Sequence, residues 1–200
     1  ALVGSVVSAK VGGNAMVWHF RLGYLVGALL IFRLVWGLVG GQWSRFGSFL
    51  HAPKAVLSYL RGSPGLNDEV GHSPTGALAV FAMLGMLVVQ VLTGLVADDE
   101  ISNVGPLNRF VTSALSARAT GWHQTWGQWI ILGLVAMHLA AIVYYTRVKR
   151  KTLVGPMIHG DKDLPHPVAA SADTQGTRLV ALLVAGVAVA IMWWVSRFAM

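Results

Sequence analysis

The sequence predicts an all-α integral membrane protein, a transmembrane helical bundle of four complete spans with the N-terminal stub of a further helix. Three observations carry that prediction. Of the 200 residues, 55% are hydrophobic and only 12% charged, and the mean hydropathy is +0.62, a composition suited to lipid rather than water. Four stretches of about 20 residues carry little or no charge, enough at about 1.5 Å per residue to cross a hydrocarbon core of about 30 Å. Eight tryptophans are many for this length and suit interfacial aromatic belts.

The chain reads as one membrane domain, 1–200, with spans at about 16–39, 74–97, 123–146 and 178–199. A surface segment lies at about 44–61 and a polar loop at about 147–177. The net charge of +7 comes mainly from the loops, which points to orientation and anionic membrane lipid and not to nucleic acid. The chain has no cysteine. That excludes disulfides, thiolate-held metal, iron–sulfur ligation and covalent haem attachment, so any haem here is b-type and held by side chains alone.

Residues 1 to 9 form an apolar stub ending at Lys10, too short to span. The absence of an initiating methionine suggests processing or truncation. A signal-peptide remnant is one reading, and the last turns of a helix are the other. The first complete span, Met16 to Val39, carries His19 near its start and glycines at 23, 27 and 37 that let a neighbour approach closely. At about 100° per residue, Gly23, Val26, Leu30, Arg33 and Gly37 fall within about 40° of the His19 direction. Arg33 either snorkels to the interface or pairs with an acidic group of a bound cofactor.

The piece Ser44 to Gly62 has apolar residues near helical spacing and reads as a surface helix, with His51 solvated. The second span opens at His72-Ser73-Pro74, a serine cap followed by proline in the first turn. Gln90 is the one strongly polar residue in its middle and needs a partner. His72, at its mouth, is open to a solvated, hydrogen-bonding or iron-ligating role. Asp98, Asp99 and Glu100 end the span, and the stretch to Gly121 reads as a loop.

The third span carries two histidines, His123 and His138. They stand fifteen residues apart, about 22 Å along the axis and about 60° apart in direction. Imidazole in hydrocarbon is costly unless satisfied, so each is a functional candidate. A haem iron would satisfy them, while interfacial exposure for His123 and a helix–helix hydrogen bond for His138 are the plainer alternatives. Arg147, Lys149, Arg150 and Lys151 close the span. His159 and His166 in the polar loop need no special role. The last span, Arg178 to Ala199, has no histidine and no acid and reads as a packing or anchoring helix.

The segments after the first and third spans are basic, which places them on the cytoplasmic side and the C-terminus outside. His19 and His123 then open helices entering from the outer face and share a depth, so they can clasp one haem. His138 lies toward the cytoplasmic end, with no evident partner at its own depth.

With these residues in place, the chain resembles the bacterial cytochrome b561 family, which includes the b-type cytochrome subunits of nickel–iron hydrogenases. The matching motifs are WHFRLGY (18–24), FRLVWGLVGG (32–41), RFGSFL (45–50), GHSPTGALAVF (71–81), TGLVADDE (93–100), the helix bearing His123 and His138, and LVGPMIHGDK (153–162). Together they cover about residues 5 to 162. The resemblance implies a helical bundle holding two b haems, one toward each membrane face. By position it makes His19 and His123 the outer-haem ligands and His138 one inner-haem ligand. The other inner ligand of the family sits in an arginine-x-phenylalanine-histidine-tryptophan type segment of an additional first helix. This sequence lacks that segment, which puts the inner haem in question and leaves His72 as a substitute.

The function expected is single-electron transfer across the bacterial inner membrane, between the quinone pool and a periplasmic c-type cytochrome or hydrogenase-like redox partner. Superoxide oxidation coupled to quinone reduction is an alternative within redox chemistry. A haem-free helical transporter or an anchor subunit is the alternative outside it.

Overall fold

The computed structural model of the chain describes residues 1–62, 71–160, 168, 170, 171 and 173–199. Asp68, Glu69, Lys162, His166 and the side chain of His159 lie outside the described residues. The helices are α1 (Leu2–Val11), α2 (Met16–Val39), α3 (Pro53–Leu60), α4 (Pro74–Leu95), α5 (Ser113–Val148), α6 (Val154–His159) and α7 (Gln175–Ser196). Among the described residues the only β feature is an isolated bridge between Asp98 and Val104. By length and composition α2, α4, α5 and α7 can each cross a membrane. The chain is an all-α membrane helical bundle, as its hydropathy predicts.

The first two spans start where the local chemistry dictates. α2 occupies Met16–Val39, and the Ser73 hydroxyl caps α4 by accepting the Gly76 N–H at 3.3 Å, with Pro74 in the first turn. α7 begins at Gln175, three residues before the expected Arg178. There Thr174 and Thr177 cap each other, and the Arg178 guanidinium is held in the first turn by Asp173 at 2.8 Å.

The third span differs most from expectation. The stretch expected as a loop is helical from Ser113, and α5 runs unbroken to Val148, 36 residues, about 54 Å. Its opening, Ser113–Gly121, lacks hydrophobic periodicity but is capped by Thr112, whose side chain accepts the Leu115 N–H. This turn is held by polar groups. Asn108 donates to Ser116 Oγ at 2.7 Å and to the Val96 carbonyl at 3.0 Å, and the Asp98 N–H donates to Thr120 Oγ1 at 2.9 Å. Two turns of α5 are π-helical rather than α-helical, Trp122–Gly127 and Tyr144–Val148.

α2 is the axis of the bundle, with α1 and α7 packed along it and α4 joining it to α5. Val26, Ala28 and Leu30 of α2 are buried, as are Ala188, Met192 and Val195 of α7, and Met192 seats against Gly27. α7 is therefore a packing helix, one of the two roles expected from its lack of histidine and acid. On the outward faces Leu38 and Leu182 are 72% and 70% exposed, as lipid-facing side chains are.

Candidate functional site

His19 stands near the start of α2, and His123 stands on the first π turn of α5. Their rings face each other with centroids 5.9 Å apart and planes at 88°. Two imidazole–metal bonds of about 2 Å on opposite sides of one ion put ring centroids about 6 Å apart. The spacing suits a pair of axial ligands.

The tautomers suit it as well. The His19 Nδ1–H donates to the Ser5 carbonyl of α1 at 2.8 Å, and the His123 Nδ1–H donates to the Gln90 carbonyl of α4 at 2.9 Å. A carbonyl only accepts, so each ring carries its proton on Nδ1 and keeps the Nε2 lone pair. Metal-binding histidines are oriented in this way by a backbone or carboxylate acceptor.

Both rings line a cavity of about 600 Å³, within the range of about 300–1,000 Å³ typical of cofactor pockets. Its walls come from α1, α2, α4 and α5, with Gly23, Val26 and Leu87 among them. A Cβ on Gly94 would stand 2.6 Å from His123 Cε1, so the ring occupies space that only glycine leaves open. Among the described residues no three His, Cys, Asp or Glu side chains converge as they would on a bare metal ion. Two opposed imidazoles in a large, mostly apolar cavity instead match a metal whose remaining ligands come from a macrocycle. The residues present fit a b-type haem.

One mouth of the cavity is polar. Asp99, one of its lining residues, accepts from the backbone N–H groups of Ile101, Ser102 and Asn103 and from the Asn103 amide. Partial desolvation opposes ionisation but is outweighed by these donors, which hold the carboxyl well below its ordinary range. Asp99 is committed to its own loop. Lys10 is the only cation lining the cavity among the described residues.

The other sequence candidates lie elsewhere. Arg33 lines a second cavity of about 490 Å³ with Leu2, Val26, Leu30, Leu84 and Leu87. The face counted from His19 does turn toward the interior, but it passes from one cavity to the next before reaching Arg33. The guanidinium donates to the Ser44 carbonyl at 3.2 Å and lies 4.8 Å from the Phe46 ring centroid. His72 is half-buried against Phe49, ring centroids 4.5 Å apart, and its carbonyl accepts from His51 Nε2 at 3.1 Å. His51 is thus hydrogen-bonded rather than simply solvated. Burial first, then Arg33 and His51, hold the His72 imidazole below 6.5. His138 is partly exposed on α5 and lines neither cavity. The π turn that carries His123 also changes the straight-helix angle between the two histidines. Among the described residues no histidine lines the second cavity, so the residues present do not fit a bis-imidazole haem there.

Sequence reasoning passed over Ser5 and Lys10 because a short apolar stub carries no motif. Gln90 was visible as a polar residue needing a partner; that the partner is His123 was not.

A family model described as prokaryotic cytochrome b561 matches residues 2–160. Similar curated proteins include the "Probable Ni/Fe-hydrogenase B-type cytochrome subunit" of Bradyrhizobium diazoefficiens, 26% identical over 162 residues, covering 72% of this chain and 64% of that protein. The "Probable Ni/Fe-hydrogenase 1 B-type cytochrome subunit" of Escherichia coli K12 is 24% identical over 167 residues, covering 74% of this chain and 70% of that protein. The chain thus spans about two thirds of the length of these relatives. No solved structure matches it at comparable significance. With helices, facing imidazoles and motifs agreeing, the chain belongs to the prokaryotic cytochrome b561 family.

Proposed function

We propose that the chain is a membrane electron carrier whose b haem is held between His19 and His123. The observation that carries this is the pair of rings 5.9 Å apart, each with Nδ1 tied to a carbonyl of another helix. The two Nε2 atoms would hold the haem iron. Bound in this way, haem would supply a reversible one-electron iron couple, and two imidazole donors would suit it to electron transfer rather than oxygen binding. The chain's own residues set the conditions. α1, α2, α4 and α5 wall the cavity, Ser5 and Gln90 fix the tautomers, and Lys10 at its mouth would pair with an acidic edge of the cofactor.

The partners are a membrane quinone and a redox protein at the outer face. The names of the relatives favour a hydrogenase-like partner, and a periplasmic c-type cytochrome is the alternative. The basic run Arg147 to Lys151 favours a cytoplasmic position for the end of α5 in the bacterial inner membrane, with the C-terminus periplasmic. His138 is kept as an axial ligand only for a second haem, which the described lining of the second cavity does not support.

The experiment is a reduced-minus-oxidised spectrum of the purified chain with haem content measured per chain. A b-type spectrum that His123→Ala abolishes is the expected result. A chain without b-type haem, or a variant with unchanged haem content and spectrum, would overturn the proposal. Superoxide consumption in the presence of quinone separates a carrier from a superoxide oxidase.

A further inference from the structure

Gln90 meets His123 twice. Its backbone carbonyl accepts the His123 Nδ1–H at 2.9 Å, and its side-chain Nε2 donates to the His123 carbonyl at 2.9 Å. A carbonyl cannot donate, so the amide end facing His123 is the NH₂ and the amide orientation is settled. The other end, Oε1, is buried with no hydrogen-bond partner, and so is Trp122 Nε1, a donor. Both lie beside Gly127, where an added Cβ would collide with Oε1 and stand 3.0 Å from the indole nitrogen. Gln90 thus leaves a buried acceptor unsatisfied while keeping its NH₂ on the His123 backbone.

The backbone it grips is the π turn Trp122–Gly127, an irregular turn of a kind that recurs at functional sites. A π turn carries one residue more than an α turn and therefore re-aims the side chains on it. The Gln90 amide anchors this turn at the residue bearing the imidazole, and the Gln90 carbonyl fixes the rotation of that imidazole.

Resting on the haem reading above, we propose that Gln90 is the positioning residue of His123, and that its two bonds hold the His123 ring plane perpendicular to that of His19. The alternative is an ordinary hydrogen bond joining α4 to α5, which would affect stability but not the relative rotation of the rings. Perpendicular axial imidazoles give low-spin ferric haem a strongly anisotropic electron paramagnetic resonance signal, and parallel ones a more rhombic signal. The two roles are therefore separable by spectroscopy.

The test uses the purified full chain as wild type, Gln90→Leu, Gly127→Ala, the double variant, and Leu92→Ala as a lipid-facing control on α4. Gln90→Leu is expected to shift the ferric signal toward the rhombic form and to weaken haem retention about 10- to 100-fold, read as haem loss to excess apomyoglobin. Gly127→Ala displaces the amide without altering Gln90 and should shift both readouts in the same direction. The double variant should add nothing further, because both changes break one interaction. Leu92→Ala should match wild type. A haem-loaded Gln90→Leu or Gly127→Ala protein with the wild-type signal and retention overturns the positioning role alone. If Gln90→Leu does not accumulate, Gly127→Ala decides the question, since alanine favours the helix. A wild-type chain without b-type haem overturns the haem reading and this role together.

Discussion

The Nδ1 of His19, on the first spanning helix, donates to the backbone carbonyl of Ser5 at 2.8 Å. The short helix α1 therefore orients one of the two facing imidazoles, although it is too short to cross the membrane. The Ser5 hydroxyl adds weaker contacts, 3.3 Å from the same Nδ1 and donating to the His19 carbonyl at 3.4 Å, so Ser5→Ala should cost about 0.5–1.5 kcal/mol yet leave haem content unchanged, because the main-chain acceptor remains. Gly4→Leu should do the opposite, since a Cβ there would stand 2.9 Å from Leu22 Cδ1 and push α1 off α2. Haem content per chain distinguishes the two variants.

Replacement of either ring of the facing pair should remove the cofactor. His19→Ala and His123→Ala are each expected to abolish the b-type spectrum. His72→Ala and Arg33→Met should retain the haem held by that pair, because both side chains lie away from its cavity. Loss of this haem in either of the latter would mean that the cluster of His72, Arg33 and His51 contributes to the site.

Gly94 faces the ring of His123 so closely that no side chain fits. Gly94→Val is expected to cost about 1–3 kcal/mol through overpacking and to displace the imidazole. Absorbance at the haem bands, normalised to folded protein, should fall well below wild type.

The imidazole of His72 is held below 6.5 by burial, with Arg33 and His51 adding to the effect. A group with a depressed folded pKa contributes stability above its unfolded pKa, and that contribution is lost as pH falls toward the folded value. The detergent-solubilised protein should therefore lose thermal stability as pH drops below about 6.5. His72→Phe, which preserves the ring contact with Phe49, should flatten that dependence. A thermal-denaturation series from neutral to mildly acidic pH reads it directly.

Met192 is 5% exposed and seats against Gly27 where α7 meets α2. Met192→Ala is expected to cost about 2–5 kcal/mol and to leave the visible spectrum intact, because α7 lines neither cavity. A spectrum that changed with stability would tie α7 to the site.

Much of the fold was legible because a membrane span is a local property. Length and apolar content are written in consecutive residues, and the Ser73-Pro74 cap marks the start of α4 without reference to the rest of the chain. The opening of α5 was not legible for the converse reason. Ser113–Gly121 is held by Asn108, Asp98 and Thr112 rather than by an apolar stripe, so hydropathy and periodicity are silent there. Arg33 shows a further limit. Its direction along α2 was counted correctly, yet a shared helix face runs past two cavities, and the cation lining the first is Lys10 from α1.

The sequence by itself determined the number of spans, the bundle class and the histidines available, since hydrophobicity, length and residue identity need no partner to be read. Tertiary structure alone decided that the rings of residues 19 and 123 face each other, that Ser5 and Gln90 set their tautomers, and that a π turn carries one of them. The physical reason is that depth in a membrane follows from counting along one helix, whereas rotation and hydrogen-bond partners are fixed only when helices pack against one another.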